Sequence, residues 1–223
     1  MPSAIITSET FRFFRELARH NRTEWMNENR ERYRSQVVEP LHKLLDALAP
    51  SMRKLYPHFD TSGRTGPNFS RINRDIRFAR DKTPYRTQMY VMFADAKTWK
   101  LGGQLYVGIS PEVVTAGFRM YGQGRGSILS DSGIPRVMKN PAWLAQQARR
   151  LGKKYESYWY SVEKGEWTKN AGWPLQPENW KKLKGWVVRK QMKPATATRP
   201  AFPREAQKIL ADLFPLYRFL SMP

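Results

Sequence analysis

The sequence predicts an α+β protein: N-terminal helices packed on an antiparallel sheet, with further helices and short strands in the C-terminal third. Three observations carry this. Apolar residues recur at helical spacing through the first 56 residues, alternate or run together in short segments between 89 and 118, and mix both habits thereafter. Helices followed by strands, rather than a regular alternation of the two, separate this class from α/β folds.

Ser8 is placed to cap a helix whose apolar positions are Phe11, Phe14, Leu17 and Ala18, with His20-Asn21 as its stop. Thr23 then caps a second helix running through Trp25, Met26, Asn29 and Tyr33 to Val37, although Met26 at the third position after the cap leaves no capping box. Pro40 suits the first turn of a third helix bearing Leu41, Leu44, Leu45 and Leu48, which Pro50 is expected to end or kink. His58 to Ser70 is a loop by its Gly, Pro, Ser and Asn content. Strands are expected at Met89 to Ala94, Gln104 to Ile109 and Glu112 to Phe118, joined through Gly102-Gly103 and Ser110-Pro111 as a meander. Asn140, Pro141 and Gly152 frame another helix as cap, first residue and stop. Tyr155 to Val162 and Trp186 to Arg189 are the remaining strands, and a last helix spans Pro203 to Phe214, where Pro215 forces a break.

A chain of 223 residues with 40% hydrophobic and 13% aromatic side chains supplies a sizeable core, so one domain over 1–223 is expected. The weakest join is Gly122 to Gly133, where a sub-lobe boundary near 122–133 is the alternative. There is no apolar run of 18 residues and no secretory leader at Met1 to Thr7, so the expected location is the cytoplasm. Without cysteine, disulfides, thiolate nucleophiles and sulfur-bound metals are excluded. His20, His42 and His58 are scattered, so no zinc site is expected; no cofactor is expected either, save Mg²⁺ if the protein is an enzyme.

The net charge of +20 is unevenly spread. Residues 1–60 hold 10 basic and 8 acidic side chains, whereas 61–223 hold 29 and 11, so the later part carries +18. Such a chain is expected to meet a polyanion or a phosphorylated ligand, nucleic acid among them.

The excess is densest in R-I-N-R-D-I-R-F-A-R-D-K-T-P-Y-R-T, residues 71–87, where Arg71, Arg74, Arg77, Arg80, Lys82 and Arg86 face only Asp75 and Asp81. Arginine stays charged in any folded environment, so four of these cations must find solvent, a distant carboxylate or an anionic ligand. A spacing of three turns each arginine by about 60° on a helix and sends successive ones to opposite faces of a strand, so no regular element gathers them. Irregular backbone is expected instead, with a turn at Asp81-Lys82-Thr83-Pro84. In the functional reading the six cations bind an anion, with Asp75, Asp81 and Tyr85 as orienting residues. In the structural reading the same cations pair with Glu24, Glu28 or Glu31 of the nearly neutral helical part.

This string resembles the signature of the domain of unknown function 2461 family, close to R-I-x-R-D-x-R-F-S-x-D-K-x-P-Y-K-T. N-R-T-E-W-M-N-E-N-R-E-R-Y with Pro40 resembles that family's helical opening, and Tyr106 to Pro111 its following strand and turn. The likeness is good over about residues 8–121 and looser beyond, and it departs at Ala79, Met26 and Arg86, where the family more often has Ser, Phe and Lys. It implies an α+β domain and supplies no reaction.

Weaker signals complete the reading. Gly122 to Ser127 is a Gly-rich turn without the Lys-Ser/Thr ending of a P-loop. Tyr155, Tyr158, Trp159, Trp173, Trp180 and Trp186 are interleaved with lysines, which suits either base stacking or a core edged by snorkelling side chains; Tyr160 and Trp167 belong to the same run. Three functions follow: a binding protein for a polyanion or phosphorylated ligand, an enzyme on a phosphate-containing or nucleic-acid substrate with Asp75 or Asp81 as base or Mg²⁺ ligand, and a structural domain clamped by internal Arg/Asp pairs. The sequence assigns no oligomeric state.

Overall fold

The computed structural model describes residues 3–121, 132–161, 167–170, 173–176, 179–180 and 183–222. The protein is α+β, with N-terminal helices, an antiparallel sheet and C-terminal helices. Its chain divides into two compact units, Met1–Phe93 with Val107–Thr115 and Met192–Gln207, and Ala94–Tyr106 with Ala116–Gln191 and Lys208–Pro223. The alternative boundary near 122–133 falls for its greater part outside the described residues, as does the Gly122 to Ser127 turn.

Helix α1, Ser8–Arg19, buries Phe11, Phe13, Phe14 and Leu17 on one face. Its cap position is Thr7 rather than Ser8, and no side chain caps it. The expected second helix is broken. Helix α2 spans only Thr23–Glu28, with Arg22 rather than Thr23 at its cap, and α3 is Arg30–Tyr33. Between them Asn29 leaves helical geometry at φ −105° and ψ 17°, and its own Nδ2 donates to the Trp25 carbonyl at 2.9 Å. A short amide side chain that competes for a backbone carbonyl in this way favours helix ends over interiors.

A π turn, Arg34–Val38, joins α3 to α4, Glu39–Leu55. Pro40 has no N–H to offer the carbonyl of Gln36 four residues back, and the buried Thr10 hydroxyl donates to that oxygen at 2.6 Å. Pro50 does not end α4, which continues to Leu55. A proline inside a helix costs about 3 kcal/mol, but Leu44, Leu45, Leu48 and Met52 are all buried on either side of it, and that burial outweighs the lost bond.

The sheet contains β1 (Met89–Phe93), β2 (Gln104–Ile109), β3 (Val114–Tyr121), β4 (Glu156–Ser161), β5 (Trp167–Asn170) and β6 (Leu183–Met192), ordered β1-β2-β3-β6-β4-β5. The expected meander is β1 to β3, with β3 shifted two residues toward the C-terminus at its start. β4 pairs antiparallel with both β5 and β6, and the register slips between Tyr160 and Ser161. β6 is longer than Trp186 to Arg189, and β5 has no counterpart among the expected strands.

In the first unit, Phe59, Phe69, Val91 and Phe93 are buried together with the apolar side of α4. In the second, Trp173 and Trp180 lie edge-on to Trp186, with ring centroids 5.2 and 5.3 Å apart, and all three are buried. These aromatics are core. The Trp186 indole donates to Ser157 Oγ at 2.8 Å, and Tyr155 donates to Asp212 at 2.9 Å. The side chains of Tyr160 and Trp167 lie outside the described set.

Helix α5, Ile134–Lys139, was not expected; α6 follows at Pro141–Leu151 with Asn140 before it and Gly152 after it. A Cβ on Gly152 would sit 2.5 Å from the Ala148 carbonyl, so the helix stop needs a residue without one. α7 is Pro194–Ala197, and α8 runs unbroken from Phe202 to Ser221. Pro215 lies inside α8, whose flanking Leu210, Leu213, Leu216 and Leu220 are buried and hold the helix past it. Among the described residues no helix is long and apolar enough to cross a membrane.

Candidate functional site

The basic stretch folds as an irregular hairpin within the first unit. Asn73 and Tyr85 form an isolated antiparallel bridge, Arg74 N donates to the Pro84 carbonyl at 2.8 Å, and Arg86 N to the Ile72 carbonyl at 2.7 Å. Residues 75–83 make the tip. Asn21 fixes the returning arm, because its Nδ2 donates to the Tyr85 carbonyl at 2.8 Å and its Oδ1 accepts the Tyr85 N–H at 3.0 Å. The Tyr85 ring is buried, so this residue anchors the hairpin to the body of the unit.

The two carboxylates are spent inside the stretch. Asp81 accepts the Thr83 N–H at 2.9 Å and the Thr83 hydroxyl at 3.0 Å, and it pairs with Arg74, which also donates to Thr83. Asp75 pairs with Arg77 through Oδ2 at 2.7 Å and Oδ1 at 3.0 Å. The hydrogen bond from Thr83 N–H, then those from Arg74 and the Thr83 hydroxyl, depress the Asp81 carboxyl to about 2. The Arg77 guanidinium, then its N–H, lowers Asp75. Carboxylates held in this state are weak proton acceptors, a poor match for a general base near neutral pH.

Four cations remain. Arg71, Arg80, Lys82 and Arg86 are exposed, and among the described residues none pairs with a carboxylate. Among the described residues Glu24, Glu28 and Glu31 make no ion pair with the stretch, so the clamp to the helical part that the structural reading expects is not seen there. Lys82 instead donates to the carbonyls of Ile76 at 3.0 Å and Arg77 at 3.4 Å, closing the tip. The structure therefore joins Arg74 to Asp81 and Arg77 to Asp75 as separate pairs.

Two features of this region escaped sequence reasoning. Phe78 stands at the tip 96% exposed, with the Arg77 guanidinium 6.0 Å from its ring centroid. A lone Phe in an R-F-A context carries no sequence signal for exposure. The second is a cavity of about 410 Å³ at the foot of the hairpin, floored by Val38, Leu41, Phe69, Ile72 and Met89. Tyr33, His42, Thr65, Ser70, Arg71 and Asn73 supply its polar lining. Only the fold assembles them, from α3, α4 and two loops.

The loop beside the cavity is built on Asn68, which is fully buried. Its Nδ2 donates to the carbonyls of Asp60 at 2.7 Å and Met92 at 3.2 Å, and its Oδ1 accepts Gly63 N–H at 2.9 Å and Arg64 N–H at 3.3 Å. Gly63 and Gly66 take positive φ, 76° and 101°, which L side chains rarely adopt. Asp60 is pulled two ways: burial raises its pKa, but Ser62 and Arg64 outweigh that and lower it. No group of three metal-ligating side chains occurs among the described residues.

No curated protein matches the chain. The family described as "Conserved hypothetical protein (DUF2461)" matches residues 9–219 of the 223, which takes in the helical opening, the basic hairpin and the last helix together. With the match extending over nearly its whole length, this chain belongs to the DUF2461 family.

Proposed function

We propose that the hairpin 71–86 is a binding surface for a polyanion, with single-stranded nucleic acid as the best-fitting class. The observation that carries this is a surplus of four exposed cations, Arg71, Arg80, Lys82 and Arg86, on a hairpin whose own carboxylates are already paired. Like charges gathered on one small element repel, and an anionic ligand relieves that repulsion. Phe78 favours nucleic acid within the class, since an exposed ring beside guanidinium groups offers a base a stacking face while cations follow the phosphates. The remainder of the +18 over residues 61–223 adds a long-range attraction.

Retention on heparin and binding of a short single-stranded oligonucleotide at about 50 mM salt test the reading. Binding that weakens steeply with salt is expected. A protein purified free of nucleic acid that ignores both matrices at that salt contradicts it.

A further inference from the structure

The cavity at the foot of the hairpin carries an inference of its own. We propose that it is a binding site for a small planar aromatic molecule bearing one oxyanion, with the ring against Phe69 and the oxyanion on Arg71. Its volume of about 410 Å³ lies within the range of about 300–1,000 Å³ typical of small-molecule sites. Phe69 and the His42 imidazole already lie in tilted contact there, with centroids 4.4 Å apart and planes 42° from parallel, so a flat ring would extend an existing aromatic contact.

Four groups of the polar lining are unspent. The Tyr33 hydroxyl and the side chains of His42, Arg71 and Asn73 have no hydrogen-bond partner among the described residues. Tyr33 carries its phenolic proton at neutral pH, as any tyrosine does, and burial pushes that phenol further up, to about 12. Arg71 offers the planar fork that takes a carboxylate or phosphate in two parallel bonds.

The walls are held in place before any ligand arrives. Gly66 N donates to the Phe69 carbonyl at 2.7 Å, Ser70 Oγ accepts the Tyr90 N–H at 3.0 Å, and Gly63 lies beside His42 at a φ of 76° that favours glycine. A site fixed in this way spends little of its binding energy on ordering. Arg71 is shared with the hairpin, but the cavity uses no other cation of it, so the inference stands even if the tip binds nothing.

The test is an NMR titration of the full chain with 1-naphthyl phosphate, 1-naphthoate, 1-naphthalenemethanol and inorganic phosphate. Either naphthyl anion should saturate in the millimolar range or below, shifting resonances of Phe69 and His42, with the alcohol at least about tenfold weaker. Arg71→Met should cost the anions about tenfold and leave the alcohol unchanged. Val38→Trp should fill the cavity and abolish all naphthyl binding while heparin retention persists; His42→Ala provides the same loss in weaker form should the tryptophan disturb folding. The inference is overturned if neither anion saturates, if inorganic phosphate binds as well as they do, or if their binding survives Arg71→Met and Val38→Trp. Naphthyl binding without heparin retention would sink the hairpin reading alone, and heparin retention without naphthyl binding would sink this one alone.

Discussion

Asn21 and Tyr85, 64 residues apart, are joined by two hydrogen bonds from one side-chain amide to both backbone groups of the tyrosine. This pairing ties the end of α1 to the returning arm of the basic hairpin, and it makes the hairpin's position depend on a residue outside it. Asn21→Ala should cost about 1–3 kcal/mol, because it leaves a partly buried N–H and carbonyl unpaired. Asn21→Asp should fall between, since it keeps the acceptor and loses the donor. Urea denaturation of the three proteins checks the order, and equal midpoints would show that the pairing holds nothing.

Asp81 sets the acid limit of the hairpin. Its carboxyl is depressed from 3.8 to about 2, so the contribution of its bonds is complete above about pH 5 and is lost progressively as pH falls through 2. Carbon-13 titration of the Asp81 carboxyl should show a midpoint well below 3.8. Arg74→Met should move that midpoint up, whereas Arg77→Met should leave it in place.

The buried amide of Asn68 should be the costliest side chain to remove in the loop. Asn68→Ala strips partners from the carbonyls of Asp60 and Met92 and from two N–H groups, and a loss of about 3 kcal/mol or more is expected. Thermal melting reads this out. An unchanged melting temperature would mean that water replaces the amide.

Thr10 and Pro40 make a third structural test. Thr10→Val keeps the shape of the side chain but withdraws the hydroxyl from the Gln36 carbonyl, and a cost of about 1–2 kcal/mol is expected by denaturant titration. The same valine should cost nothing if the π turn satisfies that oxygen unaided.

Local periodicity made much of this fold legible. The spacing of Phe11, Phe14 and Leu17 marks α1, and the alternation through Met89 to Phe118 marks the first three strands, because each face is read from neighbours in the chain. Pro50 as a helix end and Pro215 as a break misled for a physical reason: proline's local cost is visible in sequence, while the leucines that offset it act only once the partner surfaces are assembled. Asn21 and Asn68 were illegible for the same cause, since an amide's partners lie at the far end of a loop closure. In the hairpin the excess of cations over carboxylates was plain from composition, but which arginine meets which aspartate was not. That choice depends on the turn that brings Asp81 back to Arg74.

The central claim is that the unpaired cations, and not the paired ones, hold the ligand. Binding of a short single-stranded oligonucleotide across a salt series, alongside melting temperature, separates the two sets in Arg80→Met, Arg86→Met and Arg74→Met. Arg80→Met and Arg86→Met should each weaken binding, lower the salt slope by about 1 and leave melting unchanged. Arg74→Met, at a half-buried guanidinium held by Asp81 and Thr83, should lower the melting temperature. An oligonucleotide that does not bind at about 50 mM salt, or a salt slope unmoved by Arg80→Met and Arg86→Met, would contradict the account.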